Sequence, residues 1–227
     1  MKTKIFLAKI IFFFSPLILF SACDKSSDIN NDETIHDSGK IVTQTRNVDE
    51  CSGITIKNIG NVYLTQDNEQ SIRIEADDNI IEDVITREEN GILTVGLEEG
   101  SYSNIALKIY VSLKTIESLT INGAGKVVTE NPIECDSLNC AVNGAGNINL
   151  KGNGNYLECS INGAGNLNAE EFIVKKCKVL VNGAGACTIY VTDELDASVN
   201  GAGTIFYYGN PPVVKTSITG LGQITRR

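Results

Sequence analysis

The sequence predicts an all-β protein built largely as a right-handed parallel β-helix, a solenoid of about 20-residue coils, with a β-rich N-terminal half that carries a hairpin. Three observations predict it. The tetrapeptide Asn-Gly-Ala-Gly begins at Asn122, Asn143, Asn162, Asn182 and Asn200, with a degenerate copy at Thr219. The copies start 21, 19, 20, 18 and 19 residues apart. Apolar residues keep fixed offsets around them: Ile121, Val142, Ile161, Val181, Val199 and Ile218 just before, and Val127, Ile148, Leu167, Cys187, Ile205 and Ile224 five residues after. A coil that returns to the same inward position sets successive strands about 4.8 Å apart, so six coils make a stack of about 30 Å. The handedness follows from the rule for parallel crossover connections.

Taken in order, residues 1–22 form a signal peptide: Lys2, Lys4 and Lys9, then the apolar run Ile10 to Phe20. Phe20-Ser21-Ala22-Cys23 resembles a bacterial lipobox, although Phe20 departs from the usual leucine. Cys23 is therefore the expected lipid-attachment site, and a membrane outside the cytoplasm the expected partner. Residues 23–40 are polar and acidic and read as a flexible tether that includes His36, the sole histidine.

The domain is expected to span residues 41–227. Its first half alternates apolar and polar residues in short runs, such as Ile54 and Ile56, Val62 and Leu64, and Ile72 and Ile74. Asn90-Gly91 between two such runs signals a two-residue hairpin. Asp77 to Val84 allows one short helical turn. Ile105 to Leu113 is the clearest strand and leads into the first repeat.

In the repeat, glycine tolerates positive φ at the corner, with asparagine the next best residue there. In-register stacking would set Asn122, Asn143, Asn162, Asn182 and Asn200 in a ladder whose amides bond along the axis. A phosphate-cradling loop needs a helix after the glycines, and here strand patterns lie on both sides. Calcium nonapeptide repeats need an aspartate in each copy, and none has one.

With Asn61-Val62-Tyr63-Leu64-Thr65-Gln66 after Ile54-Thr55-Ile56, Asn90-Gly91-Ile92-Leu93, and then the Asn-Gly-Ala-Gly ladder, residues 43–225 resemble the GIN domain, the proposed head of autotransporter adhesins in Gram-negative lipoproteins. The resemblance implies a right-handed β-helical fold and a location outside the cytoplasm. It implies no active site.

Composition excludes some chemistry. The net charge is −9, and loss of residues 1–22 leaves 16 basic against 28 acidic residues, so the body repels nucleic acid. One histidine leaves little basis for His catalysis, and no cofactor or metal site is expected. The acidic pairs Asp77-Asp78, Glu82-Asp83 and Glu98-Glu99 lack calcium-loop spacing and read as a solvated rim. Beyond Cys23 stand Cys51, Cys135, Cys140, Cys159, Cys177 and Cys187. Cys140 and Cys159 share a repeat position, close enough to bridge, but their parallel Cβ directions favour stacked free thiols.

The expected function is that of a non-catalytic, lipid-anchored protein of the cell envelope, at the outer membrane, whose flank contacts a glycan or a surface protein. Tyr110, Tyr156, Tyr190 and Tyr207-Tyr208 are candidate contact platforms. The first alternative, a β-helical polysaccharide lyase or hydrolase, needs paired carboxylates on one face. Glu170-Glu171 and Asp193-Glu194 are the candidates, and they recur in no other coil. The second alternative is a self-assembling scaffold joined at the end of the stack, unless the Arg226-Arg227 tail caps that edge.

Overall fold

The computed structural model describes residues 34–227. The signal segment, Cys23 and most of the tether lie outside the described residues. In chain order the strands are β1 (Ile35–His36), β2 (Ile41–Arg46), β3 (Gly53–Gln66), β4 (Ser71–Asp77), β5 (Val84–Glu89), β6 (Ile92–Leu97), β7 (Tyr102–Ser103), β8 (Leu107–Leu113) and β9 (Ser118–Thr129). The repeat region continues with β10 (Ile133–Gly144), β11 (Asn147–Gly163), β12 (Asn166–Gly183), β13 (Ala186–Gly201), β14 (Thr204–Tyr208), β15 (Val213–Gly220) and β16 (Gln223–Arg226). A 3-10 turn, Ile81–Asp83, falls inside the stretch that allowed a helical turn.

The repeats form a β-solenoid of about five turns of roughly 20-residue coils. All pairing among β9 to β16 is parallel, with equal repeat positions side by side. The side before each corner carries β5, β6, β3, β9, β10, β11, β12, β13 and β15 in spatial order. The side after it carries β2, β4, β8, β3, β9, β11, β12, β13, β14 and β16. A third side closes the coil, where Ile133 pairs with Gly152 and Gly152 with Phe172.

The offsets read from the sequence point inward. Ile121, Val142, Ile161, Val181 and Val199 are completely buried, as are Val127, Ile148, Cys187 and Ile205. Phe172 fills the interior from the third side. At about 25 cal/mol per Å² of apolar surface removed from water, this continuous core is the main stabilising term, and each coil needs a neighbour to form it.

In the N-terminal half Asn90 (φ 55°) and Gly91 (φ 78°) make the turn between antiparallel β5 and β6, as the left-handed conformation at both positions requires. The structured body reaches back beyond Ile41, since Ile35–His36 pairs with Tyr102–Ser103 and Asn79 Nδ2 donates to the His36 carbonyl at 2.9 Å. The acidic rim holds one exception. Asp77 is only 1% exposed, because its Oδ2 accepts the Ala106 N–H at 2.7 Å and so ties the end of β4 to the start of β8. A buried carboxylate is tolerable only with such a donor.

Candidate functional site

The corners of the coils carry the Asn-Gly-Ala-Gly motif. Asn143 Nδ2 donates to Asn122 Oδ1 at 2.8 Å, Asn162 to Asn143 at 2.9 Å, Asn182 to Asn162 at 2.8 Å and Asn200 to Asn182 at 2.9 Å. Each amide is thus committed to its neighbours along the axis. The two glycines of a corner have different reasons. Gly144 has φ 135°, and a Cβ there would lie 2.4 Å from the Gly123 carbonyl oxygen. Gly146 needs no positive φ, but its Cβ would lie 2.6 Å from Ile121 Cγ2, the inward side chain of the preceding coil. Positive φ therefore explains only the first glycine of a copy, and packing explains the second. A further corner escaped the sequence pattern: Lys57, Asn58, Ile59 and Gly60 lie in register with Asn122, Gly123, Ala124 and Gly125, with Asn58 at φ 60°.

The outer faces differ. On the side before the corner, charges alternate along the axis: Lys178 Nζ lies 2.8 Å from Glu158, and Glu194 sits between Lys176 at 3.3 Å and Lys215 at 3.2 Å. The two lysines hold the Glu194 carboxyl below its ordinary range, through their hydrogen bonds first and their charge second. Such a carboxylate makes a poor general acid. Glu170 and Asp193 are exposed, and Glu171 lies in register with Lys151 on the next strand. The structure does not bring Glu170-Glu171 and Asp193-Glu194 into a facing pair: they occupy successive coils, and Lys176 rather than Glu171 is the register partner of Glu194.

A shallow groove of about 650 Å³ on the third side is lined by Glu134, Cys135, Asp136, Asn153, Ile173 and Thr192, among others. Burial and the neighbouring Asp136 push the Cys135 thiol up to about 11, so it is protonated and unreactive at neutral pH. Cys140 and Cys159 stand in register, and all six described cysteines are free thiols. Burial is the main cause raising Cys140 and Cys177 far above the ordinary thiol range, whereas for Cys187 a hydrogen bond with Cys159 comes first. Among the described residues no three His, Cys, Asp or Glu side chains converge as a metal site.

The side after the corner carries Tyr63, Tyr110, Tyr190 and Phe206 to Tyr208, whereas Tyr156 lies on the side before it, in register with Lys176. One outward row runs across the strands from Thr45 through Arg73, Tyr110, Tyr63, Val128, Asn149, Asn168 and Thr188 to Phe206. Tyr63 and Tyr110 stack with centroids 5.1 Å apart, and the Arg73 guanidinium lies 3.9 Å from the Tyr110 centroid. Tyr110 is therefore sandwiched rather than a free platform, and its hydroxyl donates to Glu75 at 3.2 Å. Beyond Tyr63 lies Val128, where a hollow of about 260 Å³ opens between Asn149, Lys151, Asn168 and Glu171. Amides, an ammonium and a carboxylate thus meet beside Val128, on the side that also carries the Arg73–Glu75 ion pair. Tyr63 was not singled out in the sequence as a contact residue, because only register shows that it pairs with Val128, which lines this hollow.

The family described as "Putative auto-transporter adhesin, head GIN domain" matches residues 51–211. The chain belongs to this family. Among solved structures, a "putative adhesin" from Bacteroides fragilis NCTC 9343 is similar at 25% identity and a TM-score of 0.72, covering 85% of this chain and all of the other. A "putative lipid binding protein" from Parabacteroides distasonis ATCC 8503 matches at 21% identity and a TM-score of 0.58, over 86% of this GIN chain and all of its own. A "putative adhesin" from Parabacteroides merdae ATCC 43184 matches at 21% identity and a TM-score of 0.52, over 86% of this chain and 99% of the other. The last two share the fold alone. No curated protein sequence matches the chain.

Proposed function

We propose that this GIN-domain protein is a non-catalytic binding module of the cell envelope, lipid-anchored at Cys23 to the outer membrane, that holds a glycan along the flank after the corner. The observation that carries the reading is the hollow beside Tyr63. Asn149 and Asn168 supply amide donors and acceptors for sugar hydroxyls, Lys151 and Glu171 add charged hydrogen-bonding groups, and Val128, with Tyr63 next to it in register, offers an apolar wall. Asn149 and Asn168 stand one strand spacing apart along the axis, which suits an extended polymer. The adhesin description of the family supports the same reading. A carbohydrate lyase or hydrolase finds less support, since Glu194 is neutralised by two lysines and the acidic pairs do not face one another.

The test is binding of the purified protein to a glycan array, followed by Tyr63→Ala and the double variant Asn149→Ala/Asn168→Ala. Each should weaken binding at least about tenfold, the loss of roughly 1.4 kcal/mol expected of a central contact. Unchanged binding in both would remove the hollow as the site. For the anchor, Cys23→Ser should abolish incorporation of radiolabelled palmitate, and protease shaving of intact cells reads whether the domain faces outward.

A further inference from the structure

The coil at the C-terminal end of the stack is paired on one side only. β15 pairs with β13 and β16 with β14, and among the described residues no strand lies along their other edges. Val214, Thr216, Ile218 and Ile224 are in register with Leu195, Ala197, Val199 and Ile205, all of which are completely buried. With none of the described residues stacked beyond them, Val214 is 42% and Ile218 49% exposed, and Leu221 is 90% exposed at a corner where the other copies have alanine. An open strand edge combined with uncovered core positions is a template for another chain.

The opposite end of the stack does not offer a matching surface. There Arg46 reaches from β2 across to β5, donating to the carbonyls of Val84 and Ile81 and to Thr86 Oγ1, so the interior is plugged by a guanidinium. Head-to-tail stacking would bury that group against the apolar end of a neighbour, at a cost in desolvation. Two C-terminal ends have no such obstacle.

We propose that this end docks the same end of a second copy, forming a closed two-fold dimer. Along β15 the inward positions read Val214, Thr216, Ile218, a near-palindrome about Thr216. Antiparallel pairing with Thr216 opposite Thr216 sets Val214 against Ile218 of the second copy, and the period of two keeps every inward residue inward. Lys215 then lies opposite the uncharged Ser217 of the second copy, and its own charge is already met by Glu194 at 3.2 Å. The Arg227 guanidinium does not cover the edge, because it stacks 3.7 Å from the Phe206 ring of the preceding coil. A two-fold contact uses one patch on both copies, so assembly stops at two.

The test uses the full chain in cells and after purification in mild detergent. Thr216→Cys should give a disulfide-linked dimer on mild oxidation, whereas Ser198→Cys, one coil inward, should not. Equal crosslinking of both, or of neither, overturns the proposal. In sedimentation the wild-type protein should pass from monomer to dimer as concentration rises, and Thr216→Arg, with an unchanged circular dichroism spectrum, should weaken dimerisation at least tenfold. A wild-type monomer at all concentrations, a larger polymer, or a dimer untouched by Thr216→Arg would each overturn it.

Discussion

The two ends of the solenoid belong to the same two sheets and are finished in opposite ways. At the N-terminal end β2, β4 and β8 pair antiparallel on one side and β5 and β6 on the other, and the half-buried inward positions of β2 end in Gln44 and Arg46. Arg46 Nε donates to Gln44 at 2.8 Å while the rest of its guanidinium spans to β5. Burial lowers the Arg46 pKa and Glu82 partly offsets this, yet an arginine keeps its charge. At the C-terminal end the coil keeps the parallel register and the inward apolar pattern of an interior coil, with nothing beyond it among the described residues. The difference teaches that the repeat pattern specifies how one coil sits on the next, and says nothing about how the stack is closed. Closure needs residues that break the pattern, and only one end has them.

Substitutions can break or sharpen this contrast. The largest effect is expected from truncating the same repeat position inside and at the end. Ile161→Ala should cost about 3 kcal/mol or more, since neighbouring coils enclose the cavity, whereas Ile218→Ala should cost under about 1 kcal/mol in the monomer. Chemical denaturation of each variant reads the difference, and equal losses would mean that the end is covered in solution. Next come the corner glycines. Gly144→Ala meets backbone on a positive-φ residue and should destabilise by about 2–3 kcal/mol, while Gly220→Ala, with a similar clash against Gly201 but a coil free to shift outward, should cost about half as much.

Arg46→Met removes the plug while keeping apolar length. It leaves the carbonyls of Ile81 and Val84 without this donor, for an expected loss of about 2 kcal/mol read by thermal unfolding. It should also raise binding of a hydrophobic dye, because the N-terminal end would come to resemble the other.

The smallest effects concern pH. The Cys140, Cys177 and Cys187 thiols have folded pKa values raised above the ordinary 9.0. The folded state resists their ionisation and the unfolded chain does not. Their contribution is therefore complete below about pH 9 and declines as pH rises beyond it. Unfolding midpoints followed from pH 8 to 10.5 should fall less steeply in Cys140→Val than in the wild type. Glu194 has the opposite sign: its lowered pKa gives a contribution present above the ordinary carboxylate range and lost as pH falls through the folded value. Because this group is only partly buried and both its lysine partners are exposed, salt should largely erase the effect.

The fold was legible wherever the repeat ran. The offsets around Asn122, Asn143, Asn162, Asn182 and Asn200 identified the core positions because a period of about 20 residues cannot persist by local propensity alone. The corner at Lys57 was not legible, since three of its four residues differ from the motif and the copy it stacks on begins 65 residues away at Asn122. Asp77 read as solvated because neighbouring acids usually are, and only its Ala106 partner shows otherwise. The candidate site was less legible than the fold. Tyr63, Asn149 and Asn168 come from three strands, and nothing in their separate segments marks them as neighbours.

By itself, the sequence determined which residues point inward, where each coil turns, and that the asparagines recur at one corner. These are consequences of short-range geometry repeated at a fixed interval. The tertiary structure alone decided which outward residues form a hollow, which glycines answer to packing rather than to φ, and how each end is finished. Those depend on contacts between residues roughly one coil or more apart, as when Arg46 closes over Val84 and Ile81 while Ile218 is left without a cover.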